Sequence, residues 1–564
     1  MDFEEIKETE SWQLYEKGRN YGRLTNRFSN TDKFHRFYNG NQWEGLVVKG
    51  IEPVQENFIE TIVNFKVSNI NANLWAANFS SQNFESEEFR PIAEDTCKML
   101  NRKVSKCWEA DKMEQKAREF SNDSAITGEA VAYINYIEDT QTPTMQRMTT
   151  NDVFYANEND ADIQNQPYVL IKRRLPVSTA RAYAKSRGIS EEQTTYIVGD
   201  NDTFENAGDD AKIEQDDMTS IILKMYKKDG KVFITESTRY IDIRKDKNTG
   251  LSLYPVAHWN WKEKAGSARG QSEVEFLIPA QIEYNKTLMR RLVTVKHTAY
   301  PTKAVNIDLI DNPQDLEKTG ALIKVNGKVG TSDVTNAFAN IQPAMMSGDV
   351  NVLQADLMNV TRELAGANEF ATGGIDPTKA SGKAILAVQQ AQQQPLTNYL
   401  MGLKMFLEDI SRIMLDMFMA YSENGLKLER AVTADDGTET VVVENVPQQV
   451  LNNLQATVKI DITPKSAFDR YAQELSLIEL AKEGFFNIDR LPELKVLAEV
   501  LQDDSALPKM VLQEIVKRME DEQQKIANIS NEAALMQQRA NQFLNMDSDA
   551  QAEQLAANME GSEY

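Results

Sequence analysis

Two cysteines and three histidines serve a chain of 564 residues. That scarcity removes most metal and nucleophile chemistry at the outset. Cys97 and Cys107 lie ten apart in a strongly helical segment, too few and too isolated for a disulfide framework or a zinc site. They read as small buried hydrophobes in a protein of a reducing cytoplasm. His35, His258 and His297 are far apart and none stands in a recognisable catalytic setting, so each reads as a structural histidine. No apolar run approaches the roughly 20 residues of a bilayer span, and the opening "MDFEEIKETE" is acidic where a secretion signal is basic. Positive charge is in deficit: 62 Lys and Arg against 85 Asp and Glu give a net charge of −23. A protein that grips phosphate with one basic face is therefore disfavoured. The length suits several domains or one extended, multi-part subunit, and a hydrophobic fraction of 41% is ordinary for a folded chain.

A nucleotide-binding loop is missing as well, although one stretch imitates it. "GGIDPTKASGKAILAVQQAQQQ" (Gly373–Gln394) runs from glycines and lysines into a helix. A P-loop needs G-x-x-x-x-G-K-[ST], whose backbone N–H groups wrap the phosphates and whose hydroxyl holds magnesium. Here Gly382-Lys383 is followed by Ala384, and Pro377, which has no N–H, stands where the first glycine belongs. No hydrophobic strand precedes it. The stretch reads instead as a mobile loop before a long helix, Gly373 and Gly374 supplying hinges. Asp200–Asp217 carries eight acids and one lysine but lacks calcium-loop spacing; it reads as a solvated loop.

What is present is periodic. The first 130 residues read mainly helical, with amphipathic spacing over Glu56–Asn78 and Glu87–Ala125. Phe34–Trp43 ("FHRFYNGNQW") places aromatics around an Asn-Gly turn. Strands are expected at Glu129–Asp139 and Tyr168–Leu175, and a hairpin over Ser220–Tyr240 around Asp229-Gly230. Ser272 with Glu275 forms a capping box that opens a helix to about Thr298, with Pro279 as a kink or a break. Residues 301–348 are short, strand-like and turn-rich, and a second helix spans Asp349–Leu364. From Ser381 to Tyr421 one apolar stripe includes Leu396, Leu403, Phe406, Ile410, Met414 and Met417. Pro395 lies inside it and should kink the helix. Strands return at Arg430–Val446 and Ala456–Pro464; everything after Ala467 reads helical and polar. The fold class is mainly α with β additions, α+β.

That order of segments resembles the portal proteins of tailed double-stranded DNA bacteriophages, the head-to-tail connectors of their capsids. "GQSEVEFLIPAQIEYNKTLM" (Gly270–Met289) and "ATGGIDPTKASGKAILAVQQAQQQ" (Ala371–Gln394) carry the resemblance locally. It implies a wing over 1–269, stem helices at 270–300 and 349–366, and a clip at 301–348. A tunnel loop at 367–381, a long kinked helix at 382–425, returning wing strands at 426–466 and a crown with tail at 467–564 complete the portal fold. It further implies a non-enzymatic, dodecameric homo-oligomer at one capsid vertex of the virion, assembled in the host cytoplasm. The implied partners are the major capsid protein, scaffolding protein, the terminase large subunit, head–tail adaptor or tail proteins and non-specifically contacted double-stranded DNA, with no membrane and no cofactor or metal. On this resemblance Gly373, Gly374, Lys379 and Lys383 belong to the DNA-channel loop. Lys286, Arg290, Arg291, Lys296, Lys303, Lys324 and Lys328 are the basic residues of stem and clip, in a stretch with a local excess of four positive charges. That basic character fits DNA contact and intersubunit ion pairs equally. Two other readings stay open: a helical virion or scaffolding protein that assembles without a channel, and a packaging enzyme such as a terminase.

Overall fold

The computed structural model describes residues 7–44, 53–81, 89–200, 218–299, 302–318, 322–325, 338–341, 347–367, 394–433, 439–454 and 456–464, with scattered helical residues between 515 and 537. Of the features expected above, the acidic run after Asp200, Lys328, the loop with Gly373, Gly374, Lys379 and Lys383, the start of the long helix and most of the C-terminal region lie outside the described residues. Two units are distinguished, Met1–Thr463 and Pro464–Tyr564; in the second, residues 515–519 are helical.

The first unit begins with α1 (Glu10–Leu24), α2 (Arg27–Tyr38) and α3 (Phe58–Ile70), followed by strand β1 (Asn73–Ser81). Thr9 and Asn57 cap α1 and α3 by accepting bonds from Trp12 and Glu60 N–H, which satisfies donors that a helix start leaves open. The helix expected through Asn78 ends at Ile70 instead, and β1 pairs with a strand from the far end of the unit. Local spacing could not show that non-local partner. Helices α4 (Phe89–Ala110) and α5 (Met113–Thr127) replace one long expected helix; the break falls at Lys112, which adopts φ 52°.

Next come β2 (Glu129–Ile137), β3 (Thr142–Met148), β4 (Val153–Tyr155), β5 (Tyr168–Pro176), α6 (Val177–Ser186), α7 (Glu191–Thr194), β6 (Met218–Lys228), β7 (Lys231–Ser237), β8 (Asp242–Asn248) and β9 (Val256–Asn260). The expected hairpin is β6–β7, turning at Asp229-Gly230, both with positive φ as a tight primed turn requires. Five strands form the antiparallel sheet β4-β5-β6-β7-β8, and β3-β2-β9 form a second. Residues alternate along β5 and β6: Leu170 and Ile222 meet Trp12, Tyr15 and Phe28 of the N-terminal helices, whereas Val169, Ile171 and Leu223 join the main core.

Helix α8 (Glu273–Ala299) leads to a small sheet of β10 (Thr302–Val305) and β11 (Phe338–Ile341), then to α9 (Asp349–Leu364) and α10 (Thr397–Tyr421). The unit closes with the ribbon β12 (Leu426–Thr433) and β13 (Glu439–Val446), α11 (Gln448–Asn453) and β14 (Ala456–Pro464), the partner of β1. The expected stripe of α10 is the heart of the core: Leu403, Phe406, Ile410 and Met414 are at most 1% exposed. Phe120 meets Phe406 edge-on at 5.1 Å. Cys97 and Cys107 are free and buried. The α+β expectation holds.

Candidate functional site: a rooted helix arm

Helix α8 starts where two backbones touch. Gly128 ends α5 with φ +101°, and a Cβ on Gly270 would lie 2.3 Å from Gly128 O, so neither position has room for a side chain. Ser272 then caps α8: its hydroxyl accepts from Glu275 N–H at 3.3 Å and donates to Ile126 O at 2.6 Å. Pro279 is accommodated within one continuous helix.

The first residue of α8, Glu273, is wholly buried yet charged. One carboxylate oxygen takes Lys66 Nζ at 2.9 Å; the other takes Trp261 Nε1 at 3.0 Å and Lys262 Nζ at 3.1 Å. Burial pushes its pKa up, but Lys66 and Lys262 outweigh it and hold the carboxyl below its ordinary value. Burial dominates at Lys66 and lowers that ammonium despite the Glu273 charge. Tyr399 of α10 hydrogen-bonds Glu273 and stacks on Trp261 with ring centres 4.5 Å apart. One buried cluster thus ties α3, α8 and α10 together.

A second cluster lies just before it. Arg269 spans two carboxylates, bonding Glu129 and, through Nε at 2.7 Å and Nη2 at 3.0 Å, Glu158. Its Nη2 also donates to Val153 O at 2.9 Å, and the guanidinium lies over the Tyr155 ring. His258 Nε2 stands 3.0 Å from Glu129. Burial would raise the Glu129 pKa; Arg269 foremost, then His258 and Arg27, pull it down to about 2. Arg27 at the start of α2 sits between the rings of Phe28 and Phe154 and approaches Glu158 to 3.8 Å. Burial and the neighbouring Arg269 lower its pKa to about 10. His258 is accordingly a structural histidine.

Beyond Thr287 the burial of α8 falls away and its last residues are exposed. Helix α9 is buried at the opposite end, where Ala365 and Ala367 join the main core. The two helices therefore run in opposite directions as one arm, contacting through Arg291 Nη1 and Gln354 Oε1. At its tip β10 and β11 pair antiparallel, Thr302 opposite Ile341. Asn312 organises the excursion between them, accepting from Lys324 N–H at 3.1 Å and donating to Leu322 O at 3.0 Å.

The arm gathers most of the expected basic residues. Lys286, Arg290, Lys296, Lys303 and Lys324 are exposed; Lys286 pairs with Glu283 at 2.7 Å on its own helix, and Arg291 is turned inward. Pro395 lies in a 3₁₀ turn (Gln394–Leu396) directly before α10. Gly366, just after α9, has φ +73°, and a Cβ there would lie 3.5 Å from Pro395 Cβ. The chain thus leaves and rejoins the body at one point, on either side of residues 368–393. Gly373, Gly374, Lys379 and Lys383 fall within that interval, outside the described residues.

Sequence reasoning missed both charge clusters. Signals for them existed: Lys66 interrupts the apolar run "IVNFKVSNI", and Glu129 opens the strand "EAVAYI". A charge within a buried periodicity needs a partner, but the sequence does not say which. Among the described residues no three His, Cys, Asp or Glu side chains are grouped to hold a metal, and no helix is long and apolar enough to cross a membrane.

A body anchored by buried ion clusters, extending an arm with exposed charged and apolar faces, has the form of a subunit made to contact other molecules. Comparison with known families is specific: the model described as Phage P22-like portal protein matches residues 190–563, more than half of the chain. The chain belongs to the P22-like phage portal family. No curated protein matches it.

Proposed function

We propose that this chain is the repeating subunit of a dodecameric ring at one capsid vertex, a non-enzymatic channel through which double-stranded DNA is packaged and later ejected. The observation that carries this reading is the arm within a chain of this family: two antiparallel helices leave a packed body, bear a small sheet, and return to the body where Gly366 meets Pro395, on either side of residues 368–393. Helices α8 and α9 take the role of stem, residues 301–348 that of clip, and 367–381 that of tunnel loop. Within 382–425, helix α10 begins just after the 3₁₀ turn that holds Pro395, so the expected kink inside a helix is replaced by a turn ahead of it, and α10 supports the loop. Residues 1–269 and 426–466 form the wing and 467–564 the crown. Capsid and scaffolding proteins meet the body during assembly, while the terminase large subunit and then head–tail adaptor or tail proteins dock on the clip, where Lys303, Lys324 and Lys328 lie.

A conduit must hold DNA weakly, because every neutralised phosphate adds affinity and resists movement. The chain's net charge of −23 fits that need, with Lys379 and Lys383 as isolated points of contact. A single ion pair in water is worth on the order of 0.2–1 kcal/mol, easily broken singly and additive around a ring. Gly373 and Gly374 let the loop shift as an unmatched helix passes a symmetric channel. Replacing Lys379 and Lys383 together by alanine in an infectious background is expected to leave assembly normal and to reduce the packaged DNA length or its retention. Unchanged retention in normally assembled particles would exclude the role.

A further inference from the structure

A groove of about 930 Å³ lies between β9 and the exposed side of α10, with residues 161–164 on its rim. Strand β9 is an edge of the sheet β3-β2-β9, and only alternate residues of it bond to β2. Pro255 O accepts from Ile134 N–H, and Trp261 N–H donates to Gly128 O, both at 2.9 Å. In that antiparallel register Ala257 and Trp259 also bond towards β2. Val256, His258 and Asn260 therefore turn their main-chain N–H and C=O away from the sheet. Tyr254 turns the same way, and there the Gln164 amide takes the place of a strand. Its Oε1 accepts from Tyr254 N–H at 2.8 Å, and its Nε2 donates to Tyr254 O at 3.2 Å. The main chain of His258 has no such partner among the described residues. The His258 side chain is 5% exposed while the residue as a whole is half-buried, so its main chain is what faces the groove.

Opposite this edge α10 presents Met401 and Met405, 51% and 57% exposed, flexible apolar side chains that adapt to what lies against them. One turn further along, Asp409 meets the charge of Asp162. Burial foremost raises the Asp409 carboxyl; Glu408 and Asp162 add to that, and Arg412, 3.0 Å away on the same helix, opposes it. Asp162, Glu263 and Asp409 line the groove against Lys262 and Arg412, and Lys262 is engaged by Glu273. The charge left over is acidic. Trp259 Nε1 and Asn260 Oδ1, on residues that line the groove, are buried without a hydrogen-bond partner among the described residues, a state that native structures rarely leave unexplained. Gly402 keeps space beside that indole, since a Cβ there would lie 2.4 Å from Trp259 Nε1.

We propose that this groove takes an extended segment of another protein, which adds to the sheet beside β9. The segment carries a lysine or arginine that meets Asp409 and Asp162, and an apolar side chain that packs on Met405. From Met405 to Asp409 the helix rises about 6 Å, close to the roughly 6.6 Å between alternate residues of a strand. The two side chains therefore stand two positions apart on one face of the segment. Main-chain bonds to His258 hold any such strand, and the apolar and acidic subsites select among strands. Complementary charge fixes which end lies where. The site is independent of the channel and of the number of subunits around it.

A fluorescent synthetic heptapeptide with leucine and lysine two positions apart in a threonine background tests the site on the full-length protein. Binding is read by fluorescence anisotropy and located by hydrogen–deuterium exchange. Saturable binding is expected, with slower exchange in the segments that hold His258 and Met405. Asp409→Asn and, separately, Met405→Lys are each expected to weaken it about tenfold, with circular dichroism confirming that each variant is folded. A peptide of the same sequence and charge, N-methylated on the amides that face β9, should fail to bind. No saturable binding, equal binding of the N-methylated peptide, or unchanged affinity in both variants would overturn the proposal. So would a change of oligomeric state caused by Met405→Lys in the absence of peptide, which would assign the groove to a second copy.

Discussion

Glu273→Gln is expected to destabilise the first unit by about 3–5 kcal/mol, the usual cost of breaking a buried ion pair from one side. The substitution keeps an acceptor for Trp261 Nε1 but leaves Lys66, 4% exposed, with no carboxylate. Urea unfolding followed by circular dichroism measures the loss. The deficit should shrink at alkaline pH. Lys66 in the folded chain already has a lowered pKa, by burial first and against the pull of Glu273, and removing that carboxylate lowers it further. Between the folded value and the ordinary 10.5, the unfolded chain binds more protons than the folded one, so stability rises with pH. Adding Lys66→Met should recover much of the loss, because an absent pair costs less than a broken one. A loss below about 1 kcal/mol, within the range of an exposed pair, would mean that water reaches the cluster.

Arg269→Met is expected to have an effect of similar size, about 3–5 kcal/mol, with the opposite pH dependence. In the wild type the folded Glu129 carboxyl sits at about 2 against an ordinary 4.5. Its contribution is therefore complete above about pH 4.5 and is lost as pH falls towards 2. Burial is already the largest single influence on Glu129; without Arg269 it is opposed only by His258 and Arg27, and the carboxyl rises. The variant's deficit should then be largest near neutrality and narrow in acid, when Glu129 becomes neutral. Denaturant midpoints of the two proteins between pH 3 and 7 test this; a deficit that does not change with pH would show that Glu129 does not depend on Arg269. Val153 O and Glu158 also lose a donor in this variant, so Glu129→Gln added to Arg269→Met should recover only part of the loss.

Much of the arm was legible in the sequence because its signals are local. The Ser272–Glu275 cap, the amphipathic period of Asp349–Leu364 and the apolar stripe through Phe406 each depend on neighbours within four residues. The Asp229-Gly230 turn declares its hairpin in the same way. What failed was non-local. Strand β1 exists because β14, almost 400 residues later, supplies its partner, and helical spacing up to Asn78 could not reveal it. Glu129, Arg269, Glu158 and Arg27 come from four separate stretches. The arm's basic residues were visible only as a local excess of positive charge; that Arg291 turns inward required the pairing of α8 with α9.

The claim on which the rest depends is that copies of this chain close into a ring around a channel. Negative-stain electron microscopy of the purified full-length protein tests it most directly. Rings of uniform diameter with a central hole are the expected result. Monomers, rods or closed shells without a hole, seen under conditions where the protein is folded, would contradict it.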